Sequence, residues 1–131
     1  MTQDMIELGK LVASLKGFKW MPGMLDDEGD RVLSAKEGEA GRWYVEFFDK
    51  HGACSASEIR TGDTEQIPDL SDAATLGCLL ALVRVAWCSP VNTQQMIPGQ
   101  RPQWRVWMPG DPIAYGKTEA AALVAALEAA P

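Results

Sequence analysis

Residues 68–90 read PDLSDAATLGCLLALVRVAWCSP, with a proline at each end and Arg84 as the single charge after Asp72. Asp69 or Ser71 is placed to cap a helix start by accepting a backbone N–H that has no partner inside the helix. The Asp69-x-x-Asp72 spacing also sets a carboxylate in the first turn, where the helix dipole favours it. Leu76, Leu79, Leu80, Val83 and Trp87 recur at helical spacing and form a wide apolar face. Leu82 and Val85 fall off that face, while Gly77, Cys78 and Ala81 supply small residues that let another element approach. The stretch is too short for a bilayer span, which needs about 20 apolar residues. A helix that is apolar on nearly every side has to be enclosed. Residues of about 70–88 are therefore predicted to be the buried central helix of the fold.

Working outward, 131 residues suffice for one domain with its own core, unaided by metals or disulfides. The net charge of −6 argues against a general nucleic-acid binder, whose affinity comes from Lys and Arg neutralising phosphates. The three cysteines, Cys54, Cys78 and Cys88, are odd in number and unevenly placed, as suits reduced thiols in a cytosolic protein. Residues 1–17 lack the basic start, apolar run and cleavage site of a signal peptide, so a cytoplasmic location is expected.

Thr2 is placed to cap a first helix ending near Gly17, with Met5, Leu8, Val12 and Leu15 on one face. Residues 18–21 read as a short strand leaving through Pro22-Gly23, a pair suited to a type II turn. Two loops rich in Asp, Glu and Gly flank a short strand at 31–34. Residues 42–48 are a strong strand, with Trp43, Val45 and Phe47 alternating against Arg42, Tyr44 and Glu46. Residues 53–59 return as its hairpin partner, and 60–66 form a polar loop. Beyond Pro90, strands are predicted at 91–97, 103–108 and 112–115, with a loop at 98–102. Alternation puts Trp104 and Val106 on one face and Arg105 and Trp107 on the other. Thr118 caps a last, alanine-rich helix with one narrow apolar edge at Leu123, Val124 and Leu127. Strand meanders between separated helices predict a single α+β domain over 1–131, with one or more antiparallel sheets of about five to seven strands packed with three helices. Trp20-Met-Pro-Gly23 is echoed by Trp107-Met-Pro-Gly110, read as reuse of a Pro-Gly strand exit.

Few stretches carry recognisable chemistry. Gly110 to Thr118 superficially matches a phosphate-binding loop, but five residues instead of four separate Gly110 from Gly116-Lys117-Thr118. The bland reading makes Gly116 a turn and Thr118 a helix cap. His51 and Cys54 share an H-x-x-C spacing that, with Cys78 and Cys88, would complete four zinc ligands. Cys78 sits in the middle of an apolar helix, so no metal or other cofactor is expected. No G-x-S-x-G or H-E-x-x-H occurs, and no catalytic residue is assigned. The run Asp26-Asp27-Glu28-Gly29-Asp30 lacks the alternating order of a calcium loop. It reads as a solvated loop or, with Glu37 and Glu39, as an acidic contact patch that would speed association with a basic partner. Of the five tryptophans, Trp87 is assigned to the core. Tyr44, Arg105 and Trp107 would form a binding surface if they share an outward face, since large aromatics and Arg dominate binding hot spots.

Three stretches together, GFKWMPGM at 17–24, PDLSDAATLGCLLALVRVAW at 68–87 and KTEAAALVAALEAAP at 117–131, resemble a group of small proteins encoded by bacteriophages and prophages. The layout is also similar to small phage α/β/α sandwich domains. The resemblance brings no activity and no catalytic residues. It implies a setting, that of a viral accessory protein in the bacterial cytoplasm. The reading that follows is a non-enzymatic protein binding a host or phage macromolecule, such as a component of host defence, through its acidic loops and exposed aromatic strands. No direct nucleic-acid or membrane contact is expected. The alternative is a pocket that sequesters a nucleotide, with Arg42, Arg60, Arg101, Arg105 and Lys117 as phosphate contacts.

Overall fold

The computed structural model describes residues 2–60, 62, 65–97, 99 and 103–131. Arg101 lies outside them, as do parts of the loops at 60–66 and 98–102. The chain runs α1 (Gln3–Ser14), β1 (Arg31–Glu37), β2 (Arg42–Phe48), β3 (Cys54–Arg60), α2 (Ala73–Trp87), β4 (Asn92–Gln95), β5 (Trp104–Met108), β6 (Asp111–Gly116) and α3 (Glu119–Glu128). After α1, a three-stranded meander followed by a helix occurs twice. The fold is α+β, as expected. Among the described residues its strands form two separate three-stranded antiparallel sheets, β1-β2-β3 and β4-β5-β6, and not one continuous sheet of five to seven strands. No helix among the described residues is long and apolar enough to cross a membrane.

The first sheet follows from alternation. Trp43, Val45 and Phe47 of β2 are buried, while Arg42, Tyr44 and Glu46 face outward. Val32 and Ile59 extend the buried face onto β1 and β3. Residues 18–21 form no strand, yet Phe18 and Trp20 are buried. Trp20 meets Phe18 and Phe47 edge to face, with ring centroids 5.5 and 6.1 Å apart, the arrangement favoured by aromatic quadrupoles. The Met24 N–H then bonds the Met21 carbonyl at 3.1 Å across Pro22-Gly23, with Gly23 at a φ of 96°. Gly110 has a φ of 91° in the β5–β6 turn. The WMPG echo therefore shares turn chemistry, but Trp20 is buried whereas Trp107 is only half-buried.

Two helix expectations are corrected. The central helix is not enclosed: α2 buries Thr75, Leu79, Leu82 and Val83, but Ala73, Ala74, Gly77 and Arg84 are exposed and Val85 is 71% exposed. Among the described residues, nothing lies within 4 Å of where a Cβ on Gly77 would stand. The start is capped by Asp72, not by Asp69 or Ser71. The more enclosed helix is α3, with Ala120, Ala122, Leu123, Val124, Ala126 and Leu127 all buried. Its alanines let it lie close against β5 and β6 of the second sheet, whose Val106 and Ala114 belong to the same core. A Cβ on Gly116 would strike the backbone of Ala121 and Ala122, so the β6–α3 junction packs backbone against backbone. The Trp87 indole N–H donates to the Ala126 carbonyl at 2.8 Å, joining α2 to α3.

Candidate functional site

The acidic stretch divides into one structural residue and an acidic rim. Asp26 is 1% exposed. Its Oδ1 accepts the N–H groups of Glu28 at 3.0 Å and Asp30 at 2.8 Å, and its Oδ2 accepts Gln66 Nε2 at 3.1 Å. The Asp26 N–H also donates to the Asp30 carbonyl at 2.8 Å, and Gly29 turns the chain with a φ of 88°. Asp27 is exposed but tied to the next loop, since its N–H donates to the Ile67 carbonyl at 3.0 Å. Glu28 is exposed and Asp30 half-buried. Burial pushes the Asp30 carboxyl above its usual range, and the negative charges of Asp26 and Asp49 push the same way. Asp26, Glu28 and Asp30 each bring a carboxylate oxygen within 4.8 Å of the others. Of these, Glu28 and Asp30 border a polar concavity of about 460 Å³ together with Ser55, Ser57, Glu58, Glu65 and Gln66.

Behind this loop a second network fixes it to α2. Arg31 makes two bonds to the Asp72 carboxylate, at 3.0 and 3.2 Å, and a third to the Gly23 carbonyl at 2.8 Å. Asp72 accepts the N–H and the hydroxyl of Thr75, both at 3.0 Å. The buried Thr75 hydroxyl in turn accepts the Leu25 N–H at 2.9 Å. The Arg31 guanidinium, helped by the Thr75 bonds, holds the Asp72 carboxyl below the usual range against an opposing effect of burial. No buried side-chain nitrogen or oxygen among the described residues lacks a partner. Thr75 and Gln66 were not singled out in the sequence, because their partners lie 50 and 40 residues away.

The aromatic candidates fall on two sheets. Tyr44 is 49% exposed on the outer face of the first, opposite Lys36 and Glu58, with its ring against Gly38. Arg105 and Trp107 lie on the outer face of β5, since Val106 between them is fully buried. Arg105 Nε donates to Gln94 Oε1 at 2.8 Å across the β4–β5 ladder. Opposite Arg105 on β6 is Tyr115, 47% exposed. The structure thus joins Arg105 and Trp107 with Tyr115, which sequence reasoning passed over, and leaves Tyr44 on the other sheet. The alternation of Tyr115 with the buried Ala114 was a weak signal for it.

The remaining candidates have local roles. Thr118 caps α3 by accepting the Ala121 N–H at 3.1 Å. Cys78 directs its thiol to the Pro22 carbonyl at 3.6 Å, and burial pushes its pKa up. Cys54 and Cys88 are exposed. Arg42 faces Arg60 across β2 and β3 and pairs with Glu58 at 3.4 Å. Lys117 lies instead beside a groove of about 740 Å³ between α1 and α3, lined by Met5, Leu8, Leu11 and Ala121. The described cations therefore do not gather at one concavity. No family model, curated protein or solved structure matches the chain.

Proposed function

We propose that the protein acts by binding a host or phage macromolecule, a protein in the first place, and catalyses no reaction itself. The observation that carries this reading is the outer face of the second sheet. Trp107 and Arg105, both half-buried, and the exposed Tyr115 stand on that face, while Val106 and Ala114 on the other side already fill the core. Large aromatics and arginine beyond the needs of packing are the side chains that dominate protein interfaces. The exposed carboxylates of Glu28 and Asp27 add an acidic rim that would steer a basic partner. The setting we propose is an infected bacterium, as the resemblance stated from the sequence implies, where blunting a host defence is one such task. A nucleotide-sequestering pocket has less support, given the scattered cations.

The test is affinity purification from a bacterial host lysate with mass spectrometry, run on the parent protein and on Trp107→Ala with Arg105→Ala. The parent is expected to retain a host protein that the double variant loses by about tenfold or more, the effect of removing two hot-spot residues. Equal retention by both would place the contact elsewhere.

A further inference from the structure

Resting on that reading, we propose that the free edge of β3 and its acidic concavity take an extended peptide segment of the partner with Lys or Arg at alternate positions. The backbone argument comes first. The Asp49 N–H donates to the Ala53 carbonyl at 2.9 Å, so the ladder bonds of this hairpin fall on the pairs 47:55, 45:57 and 43:59. On the other side of β2, the Gly38 N–H bonds the Arg42 carbonyl at 2.8 Å, which turns residues 42, 44 and 46 toward β1 and agrees with that phase. The N–H and C=O groups of Cys54, Ala56, Glu58 and Arg60 therefore point away from β2. Among the described residues, no strand pairs with that side of β3. Such an edge is a template for an added strand.

The chemistry of the occupant follows from the side chains. The inner face of the sheet is apolar and closed along β2, but at the start of β3 it carries Ser55, which is exposed, and Ser57, which is half-buried. The concavity beside these two serines is the one bordered by Glu28 and Asp30. Among the described residues neither carboxylate makes a salt bridge, whereas Glu58 already pairs with Arg42. A strand laid along β3 would send every second side chain over Ser55 and Ser57 toward Glu28 and Asp30. Cationic side chains there would gain two carboxylates, and acidic ones would be repelled. The Asp30 carboxyl is pushed up first by burial and then by the negative charges of Asp26 and Asp49, and a cation seated beside it would oppose that push.

The probe is a fluorescein-labelled peptide, Thr-Lys-Val-Lys-Val-Thr, titrated with the full chain by anisotropy at low salt. Amide shifts of residues 54, 56, 58 and 60 are followed by NMR. Binding is expected with shifts concentrated at those amides, and with affinity falling as salt rises. Ala56→Pro removes an outward N–H without touching the β2–β3 ladder and should weaken binding about tenfold or more. The same peptide N-methylated on the residues facing β3 should fail likewise, a control that leaves the protein unaltered. Glu28→Gln with Asp30→Asn should weaken binding about fivefold and flatten its salt dependence. A peptide with Glu in place of Lys should not bind. No binding at millimolar peptide, equal binding by the methylated peptide or by the Glu peptide, or dimerisation of the chain through β3 in place of peptide binding would each overturn the inference. Host-protein capture that needs Trp107 but survives Ala56→Pro would also overturn it, while leaving the reading of the second sheet's outer face intact.

Discussion

At the residue scale, Asp26 spends both carboxylate oxygens inside the protein, on two N–H groups of its own loop and on Gln66. In an acidic run of the sequence it is indistinguishable from Asp27 and Asp30, because the distinction lies in a partner 40 residues away. Asp26→Ala leaves two partly buried loop N–H groups and Gln66 without that acceptor and should cost about 1–3 kcal/mol, the range for a donor left unsatisfied. Chemical denaturation checks it, and a loss no larger than that of Asp27→Ala would contradict the assignment. Cys88 gives the opposite sign. It sits at a φ of 48° as the left-handed residue of a Schellman ending, with the Ser89 N–H bonded to the Arg84 carbonyl and its own N–H to Val85. Cys88→Gly should stabilise the protein by about 1 kcal/mol, by removing the Cβ penalty at that conformation. A lower denaturation midpoint in the glycine variant would refute this.

At the element scale, the local signals were legible wherever one face of an element meets the core. The bounds of β2 and the Thr118 cap of α3 were read directly from alternation and from a threonine ahead of a helical run. Enclosure of the helices was not legible, because it depends on what each helix packs against. Val85 looks like a core residue by composition and lies in solvent, whereas the alanines of α3 look neutral and are buried. The tie between the start of β1 and the start of α2 was equally hidden, since Arg31 and Asp72 are 41 residues apart. Arg31→Met should cost about 1–2 kcal/mol at neutral pH, after allowing for the partial exposure of both side chains. The Asp72 carboxyl is held low in the folded protein, so its contribution is present above the unfolded carboxyl value of about 3.9 and is lost as pH falls through the lower, folded value. Asp30, held high, acts with the other sign and recovers stability as it protonates. The gap between the stability curves of the parent and Arg31→Met should therefore narrow as pH falls below about 4, leaving the part that comes from the Arg31 bond to the Gly23 carbonyl. A gap that persists unchanged to strongly acid pH would show that the ion pair is not its source.

At the scale of the whole molecule, one continuous core joins two small sheets and leaves each with an outward side that packing does not require. The candidate residues followed that division. Arg105 and Trp107 came together on one face as alternation indicated, whereas Tyr44 went to the other sheet, because no pattern within a strand reports which strands pair. The functional account rests on the second sheet's outer face being where a partner docks, with the open edge of β3 as an additional contact. Hydrogen exchange measured on the protein alone and in its captured complex tests this most directly. The account predicts slowed exchange in Trp104–Met108 and Asp111–Gly116, with little change in Gln3–Ser14. Protection confined to the groove between α1 and α3, with β5 and β6 exchanging as in the free protein, would contradict it.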